Sequence, residues 1–249
     1  MSFLSGISKE GLEDSQDRLG GRVLFNSDVY DATIKAVYGT ISKSGAKAFN
    51  IIADIKGTEY RETAYITDSK GNNFFHGTQE SNKDKKFPMP GFTLIDDLCL
   101  LITGYPLDSQ VIEDKVFKIY DFDAKAEIPK SVPMLVNLTG KEVTLAIVKI
   151  LENKSQKSES TGKYEKIADT QEINNIDKIF HYETKKTVVE FREGIDPAQF
   201  MNQWIEKNKD KIRNKVDKNV SSGISSGKPP ISNSGASGSK PPTSLFKKP

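Results

Sequence analysis

A mainly β body carrying one or two helices is the fold class this sequence predicts, and three observations carry the prediction. Short segments in which apolar and polar residues alternate recur from Val29 to Leu151. A single clear helical repeat interrupts them between Phe92 and Ile102, and after Val220 the composition shifts to Ser, Gly, Pro, Lys and Asn. Alternation is the signature of strands with one buried face, and the final shift marks the end of the packed body.

From Val29 to Tyr38 the chain alternates, with Tyr30, Ala32, Ile34, Ala36 and Tyr38 on one side and Thr33 and Lys35 on the other. Ser42 to Lys47 is rich in turn residues, and Phe49, Ile51, Ala53 and Ile55 then resume the alternation. Lys56-Gly57-Thr58 turns the chain into Tyr60 to Thr67, so three consecutive strands make a meander. Gly71 to Gly91 breaks the pattern with Gly-Asn-Asn, a lysine cluster and Phe87-Pro88-Met89-Pro90-Gly91, a loop long enough to suggest function. Phe92, Ile95, Leu98, Cys99 and Ile102 recur at helical spacing, with Asp96 and Asp97 opposite and Gly104 as the stop.

Strand character returns at Val116 to Tyr120, at Val132 to Leu138 and in the β-branched run Val143 to Leu151. Lys154 to Lys163 reads as a polar hairpin arm or loop, Ile167 to Phe180 has no decisive period, and Thr187 to Phe191 reads as one more short strand. Asp196-Pro197 opens a helix through Phe200, Met201, Trp204 and Ile205. Six or more short strands with one or two helices suggest a partly closed, OB-like β-barrel over residues 1–217, with a helical C-terminal extension. The tail, residues 218–249, has almost no apolar side chains before Leu245-Phe246, too few to offset its chain entropy, and is expected to be disordered.

Composition narrows the function classes. Of 249 residues, 36% are apolar and 28% charged, and no apolar run approaches the roughly 20 residues that span a bilayer, so no membrane association is expected. The acids Glu10, Glu13, Asp14 and Asp17 argue against a secretory signal, and a lone Cys99 argues against a disulfide framework, which together fit an intracellular protein. From Lys218 onward there are five lysines and no acid, leaving 31 basic against 34 acidic residues in the rest, a net charge of −3. A near-neutral body speaks against non-specific coating of duplex DNA, which needs many clustered cations.

Signatures of catalysis are sparse. Leu138-Thr139-Gly140-Lys141-Glu142 is no phosphate-binding loop, because Leu135 stands where its first glycine belongs and Glu142 replaces the Mg-binding hydroxyl. His76 and His181 have no histidine partner at helical spacing, and no cofactor is expected. The acidic groups Asp96-Asp97, Glu113-Asp114 and Asp121-Phe122-Asp123 carry the alternative of a metal-dependent nuclease or recombination enzyme. A protein-binding module whose basic tail is its functional part is a further alternative.

Binding character concentrates between Lys56 and Phe75. In the extended segment Arg61, Thr63, Tyr65 and Thr67 project together, while Tyr60, Ala64 and Ile66 project the other way. A guanidinium, hydroxyls and a phenol ring on one face suit single-stranded nucleic acid, whose bases stack on rings while cations follow its phosphates. With the loop lysines, the candidate interface is Lys35, Tyr60, Arg61, Tyr65, Lys70, Phe74, Phe75, Lys83, Lys85 and Lys86, and alternation lets only one of Phe74 and Phe75 face a ligand.

The run Tyr60 to Thr67, the Pro88-Met89-Pro90-Gly91-Phe92 loop, the Asp96 to Gly104 helix and the Lys118-Ile119-Tyr120-Asp121-Phe122 strand resemble single-stranded DNA-binding proteins of short-tailed bacteriophages with large genomes. The resemblance extends to about residue 190. It implies an OB-like fold, no enzymatic activity, and coating of single-stranded DNA during replication and recombination in the cytoplasm of the infected bacterial host. Bacterial single-strand binders end in acidic residues and a phenylalanine, whereas this chain ends Leu245-Phe246-Lys247-Lys248-Pro249. The tip is expected to recruit an acidic partner from the replication, recombination or transcription machinery through Leu245, Phe246, Lys247 and Lys248.

Overall fold

The computed structural model describes residues 23–121, 124–158, 162 and 164–220, apart from the side chain of Asp121. The expectations for the N-terminal acids, for Asp123, and for the tail from Ser221 to the Leu245-Phe246-Lys247-Lys248 tip lie outside the described residues. The strands are β1 (Asp28–Ile41), β2 (Lys47–Ile55), β3 (Thr58–Tyr65), β4 (Phe74–His76), β5 (Lys86–Pro88), β6 (Ile112–Asp121), β7 (Ala126–Leu135), β8 (Glu142–Lys157), β9 (Tyr164–Phe180) and β10 (Ile212–Asn214). The helices are α1 (Pro90–Thr103), α2 (Val188–Glu193) and α3 (Phe200–Asn208).

The mainly β class is as the sequence predicts. β1, β2 and β3 form the antiparallel meander, β8 pairs with the first half of β1 and with β9, and β10 adds parallel to β8. The β6–β7 hairpin joins the sheet where Tyr38 stands opposite Met134. The sheet is not closed into a barrel: it runs β3-β2-β1-β8-β9, and its two ends carry no backbone ladder between them. They meet instead where the Ile176 N–H donates to the Glu62 carboxylate at 2.6 Å.

A β-bulge decides which side of β1 faces which core. The register shifts between Ile34 and Ala36, so Lys35 is the extra residue. Ala32 and Ile34 face the main core, but beyond the bulge Val37 takes that face while Ala36 and Tyr38 turn to a second cluster with Ile52, Val132 and Met134. Simple alternation puts Ala36 and Tyr38 beside Ile34; one inserted residue moves them to the opposite side. β8 is buried on both faces, with Val143, Leu145 and Ile147 in the main core and Ala146, Val148 and Ile150 under Trp204 of α3. That accounts for its unbroken apolar run.

Helix α1 fills the end of the main core with Ile95, Leu98 and Cys99. It stops at Gly104, whose positive φ of 77° a side chain would strain. The segment Thr187 to Phe191 is a helix rather than the expected strand. Thr187 and Glu190 form a capping box there, and two satisfied backbone N–H groups outweigh the β-branched content. Helix α3 starts at Phe200 rather than at Asp196-Pro197, because the Glu190 carboxylate accepts from the N–H groups of Gln199 and Phe200 at 2.7 and 2.9 Å and fixes the start there. Ile167 to Phe180 lies in β9, and the polar arm of Lys154 onward continues the β8–β9 ribbon. The segment Val132 to Leu138 leaves strand geometry after Leu135 for a single 3₁₀ turn.

Candidate nucleic-acid interface

The alternation holds along β3 but ends with it, because Thr67, expected beside Tyr65, is buried and its hydroxyl accepts from Lys47 N–H at 3.0 Å. Arg61, Thr63 and Tyr65 are exposed on the outer side of the strand, and Tyr60 and Ala64 are buried. Tyr60 is 3% exposed, sits edge-on to Phe25 at 6.0 Å, and donates its hydroxyl to Glu62. Its place in the candidate interface is therefore corrected: the period of two that exposes Tyr65 sends Tyr60 into the core.

The β6–β7 hairpin packs on the outer side of the meander, with Phe117 and Tyr38 at 5.5 Å between ring centroids. Between hairpin and meander lies a groove of about 730 Å³. Arg61, Tyr65 and Tyr120 line it, and the two tyrosines are 50% and 49% exposed. Thr40, Asn50 and Thr63 add a polar ladder, in which the Thr63 hydroxyl donates to Asn50 at 2.7 Å and the Asn50 amide donates to Thr40 at 2.9 Å. Two half-exposed rings beside a guanidinium give a strand of unpaired bases surfaces to stack on and a cation for its phosphates.

The cations on this face are already paired. Arg61 bridges Glu59 and Glu127, which hold its guanidinium more firmly protonated, and Lys35 pairs with Asp54 at 3.0 Å. Asp54 stands opposite Glu59, so Lys35 and Arg61 share the outer side of the meander. Exposed pairs of this kind contribute at most about 1 kcal/mol, so exchanging a carboxylate for a phosphate costs little.

The loop after β3 contains a two-stranded ribbon, β4–β5, with the aromatic pair split between its faces. Lys86 Nζ lies 4.2 Å from the centroid of the Phe74 ring, while Phe75 stacks on Phe87 at 5.8 Å with its ring half exposed. Lys70, Lys85 and Lys86 are exposed, and Lys83 pairs with Glu80. Asp68 shapes the turn before the ribbon, accepting from the N–H groups of Lys70 and Asn72 at 2.8 Å each; Asn72, by side chain and backbone, holds it below the usual carboxylate range. The ribbon leads to the groove through the start of α1. Met89 N–H donates to the Asn73 carbonyl, and Gly91 lies against the Tyr65 backbone so closely that a Cβ there would meet the Tyr65 oxygen at 2.2 Å. Structure thus adjoins Tyr65, the ribbon and the α1 start, and leaves Lys35 toward the far end of the meander.

Tyr120, like Thr40 and Asn50, lines the groove without having been among the sequence-predicted interface residues. Its signal was its place at the exposed end of the alternating Val116 to Tyr120 segment. Of the acidic groups, Asp96 accepts from Leu107 N–H at 2.8 Å and Glu113 pairs with Lys115, while the Asp121 side chain and Asp123 lie outside the described residues. Burial pushes Asp97 above the usual carboxylate range, with Lys178 opposing. Burial also pushes the Cys99 thiol up to about 12. Among the described residues no three His, Cys, Asp or Glu side chains gather where they would hold a metal, and no helix is long and apolar enough to cross a membrane. Compared with protein-family models and with the curated proteins, the chain matches none.

Proposed function

We propose that this protein binds single-stranded DNA with little sequence preference and without catalysis, coating it during phage DNA replication and recombination in the cytoplasm of the infected host. One observation carries the binding reading: Tyr65 and Tyr120, both half exposed, line one groove together with Arg61. Stacking on a ring accepts any base, because every base has a π-face, so such a groove favours tolerance over readout. The resemblance to phage single-strand binders, carried by four motifs between Tyr60 and Phe122 and extending to about residue 190, supplies the replication setting. The basic tail then recruits proteins of the replication, recombination or transcription machinery.

Fluorescence titration of the full chain with oligo-dT, oligo-dA and duplex DNA, with and without Mg, tests this reading. Binding to both single strands, weaker binding to duplex and intact oligonucleotides are expected. Equal affinity for duplex, or Mg-dependent cleavage, refutes it.

A further inference from the structure

A second recess, of about 590 Å³, opens where β3 and β9 do not pair, and it meets the groove at Glu62, Thr63, Tyr65 and Asn175. β9 supplies it with Lys178, β10 with Arg213, and the residue that follows β10 with Lys215. Three carboxylates also line it, and two of them hold structural hydrogen bonds. Glu62 takes the Ile176 N–H and the Tyr60 hydroxyl. Asp177 accepts from the Arg213 guanidinium and the Trp204 indole at 2.7 Å each; burial opposes its charge, but these donors hold it below the usual range. Asp97, on α1, is half buried, and that burial raises it above the usual carboxylate range.

The lysines differ in this respect from the cations of the groove. Among the described residues neither Lys178 nor Lys215 is in an ion pair, although Lys178 is close enough to act on Asp97 and Asp177 through its charge. Lys215 is exposed, and its backbone N–H is fixed to the Leu151 carbonyl at 2.8 Å, so its position on the rim is set by the β8 ladder. Unpaired cations continuing a groove whose own cations are paired mark the next stretch of a polyanion's path.

Building on the binding reading above, we infer that the bound single strand does not stop at Tyr65 but crosses the β3/β9 seam, where Lys178 and Lys215 take its following phosphates. The open seam is then a functional gap in the sheet: a closed barrel would place a backbone ladder where the strand passes. A recess whose lining runs from β3 across β9 to the end of β10, continuous with the groove, fits a chain of phosphates.

The test uses the full chain, oligo-dT of graded lengths across the roughly 4 to 16 nucleotides that such domains occlude, and salt titrations of the wild type, Lys215→Ala and Lys178→Ala/Lys215→Ala. Each phosphate neutralised on a single strand contributes about 0.7 to the salt slope. For long oligonucleotides the double variant is expected to lower the slope by about 1.4 and the single variant by about 0.7. For the shortest ones, held in the groove alone, no change is expected. Lys215 is exposed, so its single variant keeps the test open should the half-buried Lys178 prove needed for folding. Slopes and length dependence identical to wild type overturn the seam path while leaving the groove intact. A wild-type protein that binds no oligo-dT at any length overturns the binding reading itself.

Discussion

Tyr60 and Tyr65 lie on one short strand and face opposite ways, so replacing each with alanine separates binding from folding. Tyr65 is half exposed in the groove, and losing one stacked base there is worth roughly 1 to 3 kcal/mol, or about 5- to 150-fold in Kd for oligo-dT. Its loss removes little buried surface, so the melting temperature is expected to stay near the wild-type value. Tyr60 is 3% exposed, and Tyr60→Ala opens a cavity in the main core for about 3 to 5 kcal/mol, the range for large aromatic truncations. It also strips a donor from Glu62, the carboxylate that takes the Ile176 N–H between the open sheet ends. For a domain of this size each kcal/mol shifts melting by about 2 to 4 °C, so a fall of about 6 to 20 °C is expected. Tyr60→Phe keeps the ring and loses only the hydroxyl, about 1 kcal/mol. Fluorescence titration below the transition and a thermal melt, run on the same preparations, decide it. The reasoning fails if Tyr65→Ala binds like wild type, or if Tyr60→Ala weakens binding while melting normally.

Arg61→Ala is expected to weaken oligo-dT binding, whereas Glu127→Gln releases one of the two carboxylates on Arg61 and should tighten it by up to about fivefold; titration at low salt reads both. Glu190 is buried, and although burial raises it, backbone N–H donors from Phe200, Gln199 and Thr187 bring it below the usual carboxylate range. Its stabilisation is therefore complete above the unfolded-state value of about 4.3 and drains away as pH falls through the lower folded value. Glu190→Gln should cost about 2 kcal/mol at pH 7, measured by denaturant unfolding, and less of a difference from wild type should remain at pH 3. Deletion from Ser221 onward removes four lysines and should leave folding intact while reducing single-strand affinity modestly; a pull-down from infected-cell extract, comparing the full chain with Phe246→Ala carrying Lys247→Glu and Lys248→Glu, reads the tail's recruiting role.

Where period alone determines structure, the sequence was a good guide. The meander, the α1 helix with its Gly104 stop and the outward set Arg61, Thr63 and Tyr65 follow from spacing. Each departure came from an interaction between distant residues or from an interrupted period. Nothing local announces that Lys35 is bulged, because the bulge exists only against the partner strand β2, yet it reverses Ala36 and Tyr38. The helix at Val188–Glu193 had a readable signal in Thr187-x-x-Glu190, which the β-branched residues obscured. The start of α3 depends on a carboxylate nine residues before Gln199, beyond the reach of any local capping rule. Tyr120 could be placed on an exposed strand end by its spacing, but only the folded hairpin brings it beside Tyr65, and the seam lysines became candidates only once β9 lay beside β3, since contacts across 50 or more residues leave no local trace.

The pairing of the groove's cations bears directly on its choice of ligand. Duplex binding gains most of its free energy from counterion release at many free cations, and it offers no exposed base faces to rings. On this face Lys35 is held by Asp54, and Arg61 by Glu59 and Glu127, so a duplex laid on it meets carboxylates as well as cations. On the proposed reading a single strand meets the same carboxylates but also stacks on Tyr65 and Tyr120, for a gain of about 1 to 3 kcal/mol per base that the duplex cannot collect. Acidic partners that look wasteful for affinity thus lower the background against which stacking discriminates. Glu127→Gln separates the two effects: relieving the carboxylate should help duplex DNA proportionally more than oligo-dT, narrowing the preference even as both bind tighter. A preference that widens would show that Glu127 shapes the groove for bases instead of repelling phosphates.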